Sequence, residues 1–388
     1  MLQADGYPVQ IVTTSSQLAD LCQSWSQHSA LAIDTEFIRT DTFYAKLGLV
    51  QVGDGQRCYL IDPLEIDDWA PFLALLDLET CEIVMHSAGE DLNLLQTSLS
   101  RLPARLFDTQ LASGFLGLGF SMSYQALVLK VLGISVAKDE TRSDWLRRPL
   151  SEAQLKYAAL DVAYLLQLRE TLLQSLAEAN KLAWFEAEAA SAMAQAAEFE
   201  QEQSWAAQFV NMNNAWRLSD PGLVILQRLY LWREREARRR DRPKNWIAKD
   251  SDLMAIARHL ESQEGGPELE DLYRVNELNR KLVQFNGRSI IKAIVEDTGE
   301  SLPARSLLNT PLPPAQRKLL KRCQQVVRDR AESLQLAPEL LATKRQLLAQ
   351  IRAWEEEGEL PWQGAMSGWR RAILEPKFTD IFDLSANS

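Results

Sequence analysis

The sequence predicts an α/β domain, a mixed sheet flanked by helices, followed by two all-α helical-bundle domains. Three observations carry this expectation. The first 140 residues alternate strand-like and helix-like apolar runs. From Ser151 onward the apolar spacing is almost entirely helical. Past Ala207, two stretches of about 80 residues share the same punctuation by proline and polar leads.

The elements follow in order. Val9–Val12 is a short strand, and Ser15 opens a helix to about Gln27. Three apolar runs come next, Ala30–Phe37, Leu47–Gly53 and Arg57–Asp62. Asp54 and Gly55 supply a turn between the last two, which predicts antiparallel hairpins. A helix near Asp68–Leu76, a strand at Glu82–His86 and a helix from about Glu90 continue the chain. Antiparallel strands followed by βα alternation make a mixed sheet. Ser151 with Gln154 forms a capping box, and one helix runs from there to about Ala179. Ala183–Ala207, rich in Ala and Glu, is a further helix leading away from the first domain.

The two repeated stretches open on Ser219-Asp220-Pro221 and on Pro311-Leu312-Pro313-Pro314. Each continues with an Arg-rich helix, Leu223–Arg240 or Gln316–Leu334, then a proline, a second helix and an amphipathic one. Glu296–Thr310, with Gly299 and Pro303, reads as the linker. The expected division is 1–200, 216–298 and 308–388.

Apolar residues make up 46% and charged residues 24% of the chain, the balance of a globular protein. No apolar run approaches the roughly 20 residues of a membrane span. Met1–Gln10 has neither the basic start nor the apolar core of a secretion signal, so a cytoplasmic protein without membrane contact is expected. Cys22, Cys58, Cys81 and Cys323 are scattered, with no metal-ligand spacing, and read as buried reduced thiols. The net charge is −11. Residues 1–200 hold 13 basic against 27 acidic side chains, and the remainder holds 29 against 26. An acidic front half suits a cation site, and a mildly basic rear half can track phosphates.

Three short pieces carry the chemistry. In the strand Ala30–Phe37, period two points Ala32, Asp34 and Glu36 to one side. Two carboxylates so close on a strand built for burial raise each other's pKa unless a cation compensates, and hard divalent cations choose carboxylate oxygen. Alone, Asp-x-Glu is weak, since solvated strand ends also carry it. In His86-Ser-Ala-Gly-Glu-Asp91 a strand gives way to a helix, and Asp91 falls in its first turn near the strand's carboxyl end. Complementing the helix N-terminus is the plainer role for such an acid. In Tyr157-Ala-Ala-Leu-Asp161 the i, i+4 spacing puts phenol and carboxylate on one helix face.

Jointly these pieces are far more specific, and they resemble the tyrosine subtype of the DEDD exonuclease superfamily. The resemblance extends to the ribonuclease D family through Phe107-Asp-Thr-Gln-Leu-Ala112, Ser121-Met-Ser-Tyr-Gln-Ala-Leu127 and Thr141-Arg-Ser-Asp-Trp-Leu-Arg-Arg-Pro-Leu150. It covers most of residues 8–180. The histidine subtype carries His five residues before the last Asp, where this chain has Lys156. The resemblance implies a ribonuclease-H-like exonuclease domain that removes nucleotides one at a time from RNA 3′ ends and releases nucleoside 5′-monophosphates. It implies two divalent ions, Mg²⁺ or Mn²⁺, with Asp34 bridging both, Glu36 and Asp161 holding one, Asp91 supporting the other, and Tyr157 orienting the attacking water. It also implies RNA partners, tRNA precursors and other structured RNAs among them. A DNA-preferring exonuclease and a catalytically silent RNA-binding scaffold are the alternatives. Asp108 reads as a helix cap, and His86 and His259 as structural residues.

In the rear half, Arg233–Lys244 is the densest basic cluster. Its candidates for phosphate contact are Arg235, Arg238, Arg239, Arg240, Arg242 and Lys244, with Glu234 and Glu236 interleaved; Trp246 reads as core. Leu223–Val295 resembles the helicase-and-RNase-D C-terminal (HRDC) domain through Arg242-Pro-Lys-Asn-Trp246 and Gly287-x-x-Ile290. Leu308–Leu384 resembles a second, more divergent copy through Leu360-Pro-Trp362 and Met366-Ser-Gly-Trp-Arg370. No heptad seam or broad apolar face argues for assembly, so a monomer is expected.

Overall fold

A computed structural model describes residues 2–137, 143–263, 265–276, 278–296, 302 and 305–386. Thr141 and Arg142 of the 141–150 motif, and Gly299 and Pro303 of the expected linker, lie outside the described residues.

Strands β1 (Gln3–Ala4), β2 (Tyr7–Val12), β3 (Ala30–Ile38), β4 (Lys46–Gly53), β5 (Cys58–Ile61), β6 (Glu82–Met85) and β7 (Leu106–Asp108) form one sheet, ordered β1-β2-β5-β4-β3-β6-β7. β3, β4 and β5 pair antiparallel as their turns predict, while β6 joins β3 in parallel and β7 joins β6 likewise. β1 and β7 were not anticipated; at two and three residues they are too short to display alternation. Around the sheet lie α1 (Ser15–Trp25), α2 (Ala70–Leu76), α3 (Gly89–Leu99), α4 (Thr109–Phe115), α5 (Tyr124–Leu132), α6 (Glu152–Ala163), α7 (Leu165–Glu178) and α8 (Leu182–Ala197).

Period two divides the β3 side chains between two cores. Leu31 and Ile33 pack with Leu18, Trp25, Phe72 and Leu95 of α1–α3. Ala32 packs instead with Leu49, Leu127, Ala158 and Leu165, on the side of α5–α7. Asp34 and Glu36 continue the Ala32 phase, so they emerge toward α6. A one-residue slip would turn both carboxylates into the Trp25–Phe72 core. Each large apolar side chain it displaced would forfeit about 1.5–3 kcal/mol of burial. α6 crosses the sheet closely at Gly53, where a Cβ would lie 2.9 Å from the Val162 carbonyl oxygen.

Two expected helices are each broken. The segment Ser151–Ala179 starts with the predicted capping box but divides at Tyr164, between α6 and α7. The Tyr124 hydroxyl enters the helical ladder there, donating to the Leu160 carbonyl at 2.9 Å and accepting from the Tyr164 amide at 3.1 Å. A group inserted into the i→i−4 ladder is a standard cause of a kink. The expected helix Ala183–Ala207 stops at Ala197, and a short α9 (Glu202–Ala206) folds back so that Trp205 lies under the Arg238 guanidinium, 4.3 Å from its ring centre.

The first helical domain contains α10 (Asp220–Arg240), α11 (Lys244–Ile247), α12 (Asp250–Leu260), α13 (Leu269–Arg274) and α14 (Arg280–Val295). The second contains α15 (Pro314–Ser333), α16 (Pro338–Leu341), α17 (Lys344–Glu357) and α18 (Trp369–Ala386). The repeat is visible in detail. In both, the long helix is followed by a four-residue helix that ends on an extended alanine, Ala248 or Ala342, each at φ −161. Phe209, Met212, Ala215 and Leu308 join the core of the first helical domain. No described helix is long and apolar enough to cross a membrane.

Each helical domain docks separately on the sheet domain. Asp241, in the left-handed conformation at the end of α10, accepts from the Phe43 and Tyr44 amides, both at 3.0 Å. Arg238 stacks between Trp205 and Phe43. The second domain meets α4 and α8. The Ala337 amide donates to the Gly114 carbonyl at 2.9 Å, the Lys181 ammonium bridges the Phe115 and Gln335 carbonyls, and Arg370 makes a bidentate pair with Glu188.

Candidate active site and nucleic-acid interface

β3 and α6 bring Asp34, Glu36 and Asp161 together: one carboxylate oxygen from each lies within 4.8 Å of the others. All three are partly exposed, and Glu36 lines a cleft. A β-bulge shifts the β3–β4 register between Glu36 and Phe37, just past the second acid. Asp91 stands slightly apart. It is buried on α3, where its carboxylate accepts from the Thr35 hydroxyl on the other face of β3, yet its charge still raises Asp34. Tyr157, one turn before Asp161 on α6, hydrogen-bonds the Asp161 carboxylate.

The electrostatics follow from crowding. Burial first, and then the charges of Asp91, Asp161 and Glu36, hold the Asp34 carboxyl well above the usual carboxylate range. Burial, then Asp161 and Asp91, push Glu36 up to about 8. Burial lifts Asp161 to about 7 against the Tyr157 hydrogen bond, and Asp91 to about 6 against the Thr35 hydrogen bond. The Tyr157 phenol is raised by burial and by Asp161, Glu36 and Asp34, so it stays protonated. The Oδ2 atom of Asp161 is buried with no hydrogen-bond partner among the described residues. An oxygen-only donor set with an orphaned carboxylate oxygen fits divalent cations, which would supply the missing positive charge.

Several supports were not legible as such. Asp108 caps α4 as expected, accepting from the Gln110 and Leu111 amides, but it also accepts from the Ser87 and Ala88 amides and so fixes the turn that presents Asp91. Arg148 forms a two-toothed pair with Asp62 and reaches the Gly48 and Trp145 carbonyls. That ties down the loop carrying Trp145, whose ring lies 6.2 Å from that of Tyr157. Gln51 sits opposite Asp34 in the β3–β4 register, fully buried, with both side-chain polar atoms unpartnered among the described residues. A lone polar residue in the apolar run Leu47–Gly53 was its only sequence signal. His86 is structural as expected: its Nε2 meets the Met122 carbonyl at 3.0 Å and its Nδ1 the Thr109 hydroxyl at 2.8 Å.

The cleft has two connected parts. One, of about 800 Å³, runs from Glu36 past Lys46 and Trp145. The other, of about 850 Å³, lies between Phe199, Trp205, Arg238 and Lys244, and the two share Arg39, Thr40 and Thr42. The carboxylate cluster thus meets, through Glu36, a cleft that continues to the first helical domain. The six basic candidates there are all ion-paired. Arg235 pairs with Glu202, Arg238 with Glu234 at 2.7 Å, and Arg239 and Arg240 with Glu236 at 2.7 and 2.6 Å. Arg242 pairs with Asp41 at 3.5 Å and Lys244 with Glu234 at 2.7 Å. Trp246, expected in the core, is instead 63% exposed, with the Arg242 guanidinium 5.8 Å from its ring centre. The short α11 turns it outward and buries Ile247 in its place.

Comparison with known proteins adds an independent line. Residues 9–177 match the family model for a 3′–5′ exonuclease, 223–294 that for the HRDC domain, and 314–378 that for the C-terminal HRDC domain of ribonuclease D. The chain is 39% identical over 366 residues to a ribonuclease D of Pseudomonas paraeruginosa, covering 94% of each. It is 34% identical over 377 residues to the ribonuclease D of Escherichia coli, covering 94% of this chain and 96% of that one. The crystal structure of Escherichia coli RNase D, described as an exoribonuclease involved in structured RNA processing, superposes with a TM-score of 0.82 at 31% identity, over 97% of this chain and 99% of that one.

Proposed function

This chain belongs to the ribonuclease D family, and on that premise we propose how its residues share the work and which RNA it trims. It is a 3′–5′ exoribonuclease with a ribonuclease-H-like catalytic domain followed by helical HRDC domains. In our reading Asp34, Glu36, Asp91 and Asp161 hold two divalent cations, Mg²⁺ or Mn²⁺. Asp34, Glu36 and Asp161 would hold cation at the converged carboxylates, and Asp91 would add a fourth acidic ligand. The observation that carries this is the convergence of Asp34, Glu36 and Asp161 within 4.8 Å, with Tyr157 bonded to Asp161.

When bound, the cations supply Lewis-acid stabilisation of the negative charge that develops during in-line displacement at phosphorus. The chain's own contribution is placement. The Tyr157 phenol, held protonated, orients the attacking water beside Asp161 and takes no proton from it. A bond forms from the water oxygen to the terminal phosphorus, the bond to the penultimate O3′ breaks, and the proton the water releases to solvent is matched by the one O3′ takes up. The products are a nucleoside 5′-monophosphate and an RNA one residue shorter, with a free 3′-hydroxyl.

The proposed substrates are tRNA precursors and other structured RNAs with short single-stranded 3′ extensions, processed by a cytoplasmic monomer. A cleft that runs from Glu36 to Arg238 and Lys244 of the first helical domain gives a single-stranded 3′ extension a path to the carboxylates. The test is a 5′-labelled tRNA precursor carrying a 3′ trailer, compared with an unstructured RNA of equal length. We expect stepwise loss of the trailer. A trailer left intact while the unstructured RNA is degraded would contradict the substrate assignment.

A further inference from the structure

The basic run at Arg233–Lys244 spends its charge within the protein, and α14 does not. Arg280–Val295 contains Arg280, Lys281, Arg288 and Lys292 and no acidic residue. Lys281, Phe285, Arg288 and Lys292 fall at helical spacing on one exposed stripe, and Leu282, Val283, Asn286, Ile290 and Ile294 are buried on the other side. Among the described residues, none of these four basic side chains is in an ion pair. In their midst Phe285 is 74% exposed, the largest exposure among the exposed bulky apolar residues. A lone exposed apolar ring is ordinary. Unpaired cations flanking an exposed aromatic ring are what single-stranded nucleic acid requires, since each base has a π-face and each link a phosphate.

The stripe also starts at a useful place. α14 lies antiparallel to α10. Arg228 donates to the Ile294 backbone carbonyl at 2.6 Å, Trp232 to the Ser289 hydroxyl at 3.2 Å, and Arg240 to the Asn286 side-chain Oδ1 at 2.8 Å. The N-terminal half of α14 therefore stands beside the end of α10, where Asp241 grips the Phe43–Tyr44 loop of the catalytic cleft.

We propose that the α14 stripe binds the single-stranded RNA segment on the 5′ side of the nucleotide being removed, with Phe285 stacked on a base and Lys281 and Arg288 on phosphates. This rests on the exoribonuclease reading. It assigns the helical domain a definite RNA-facing surface, distinct from the Arg233–Lys244 run.

The test uses the full chain, a 5′-labelled RNA with a single-stranded 3′ tail, and chelator so that the RNA stays intact. Fluorescence anisotropy is read across a salt series. Lys281→Glu with Arg288→Glu should weaken binding ten-fold or more and lower the slope of log Kd against log salt by about 1.4, from about 0.7 per phosphate contact on a single strand. Phe285→Ala should weaken binding about five-fold or more without moving the slope, and Phe285→Trp should restore it. Melting temperatures equal to wild type exclude misfolding as the cause. Wild-type affinity and slope in the charge-reversed variant would overturn the proposal and leave the stripe to a protein partner. A wild-type chain that degrades no RNA once metal is restored would instead remove the exoribonuclease reading beneath it.

Discussion

The hydroxyl of Tyr124 stands between the amide of Tyr164 and the carbonyl of Leu160, replacing one rung of the helix that carries Asp161. Three residues beyond Asp161, the chain changes direction because a side chain from α5 occupies its ladder. The kink therefore fixes where α6 ends and how its carboxylate meets β3.

Tyr124→Phe removes that rung and leaves a buried carbonyl and amide to re-pair or go unpaired. We expect a loss of about 1–3 kcal/mol of stability, read as a lower melting temperature. Turnover should drop while RNA affinity holds, because a straightened helix displaces Asp161 and not the RNA-binding surface. Wild-type stability and turnover together would show that the inserted hydroxyl is dispensable.

The crowded carboxylates make the metal-free protein sensitive to pH. Folding raises Asp91 to about 6, Asp161 to about 7 and Glu36 to about 8, so the folded chain keeps protons that the unfolded chain has released. Stability from this source is highest below about pH 4 and falls as pH rises toward about 8. Divalent cation binds only the folded, ionised cluster and should reverse the loss. Melting scans at pH 5 and pH 8, with chelator or with Mg²⁺, check this: the gain from Mg²⁺ should be larger at pH 8 by roughly a few degrees. An equal gain at both pH values would argue against cation binding at this cluster.

Arg148 holds the Ser143–Leu150 side of the cleft through Asp62. Arg148→Met leaves Asp62 without its partner at a cost of up to about 3–5 kcal/mol, less whatever solvent at the pair's edge screens. We expect faster proteolysis near Trp145 and reduced turnover, since Trp145 packs beside Tyr157. Protection and turnover equal to wild type would assign the pair no part in the site.

Gln51 faces Asp34 with both polar atoms unpartnered among the described residues, an arrangement that is unfavourable by about 1–3 kcal/mol per group. We expect Gln51 to serve the site and not the fold. Gln51→Met, similar in volume, should leave melting unchanged or raise it while lowering turnover about ten-fold. A stabler protein with full activity would leave Gln51 without a role in catalysis.

The candidate site was legible because its chemistry follows local periodicity. Asp34 and Glu36 share a strand face with Ala32, and Tyr157 and Asp161 share a helix face, so four side chains could be oriented from spacing alone. Asp91 was placed by the strand-to-helix turn before it, although its separation from the three-acid cluster was not foreseeable. What stayed hidden depends on tertiary contact. The Tyr124 insertion joins residues 40 positions apart. Glu200, Glu202 and Asp41, which neutralise the basic run from outside, arrive from other segments. Hydropathy argued for a buried Trp246, but a single helical turn decides between it and Ile247, and Ile247 fills the core. β1 and β7 are too short for any pattern to show.

The most direct test follows a 5′-labelled RNA with a short single-stranded 3′ tail, incubated with Mg²⁺ or Mn²⁺, with chelator, and with the Asp34→Asn chain. We expect a ladder shortening one nucleotide at a time, abolished by chelator. Asp34→Asn should slow it by on the order of 10³-fold or more while RNA binding is largely kept. An Asp34→Asn chain cutting at the wild-type rate, or shortening that persists in chelator, would contradict it.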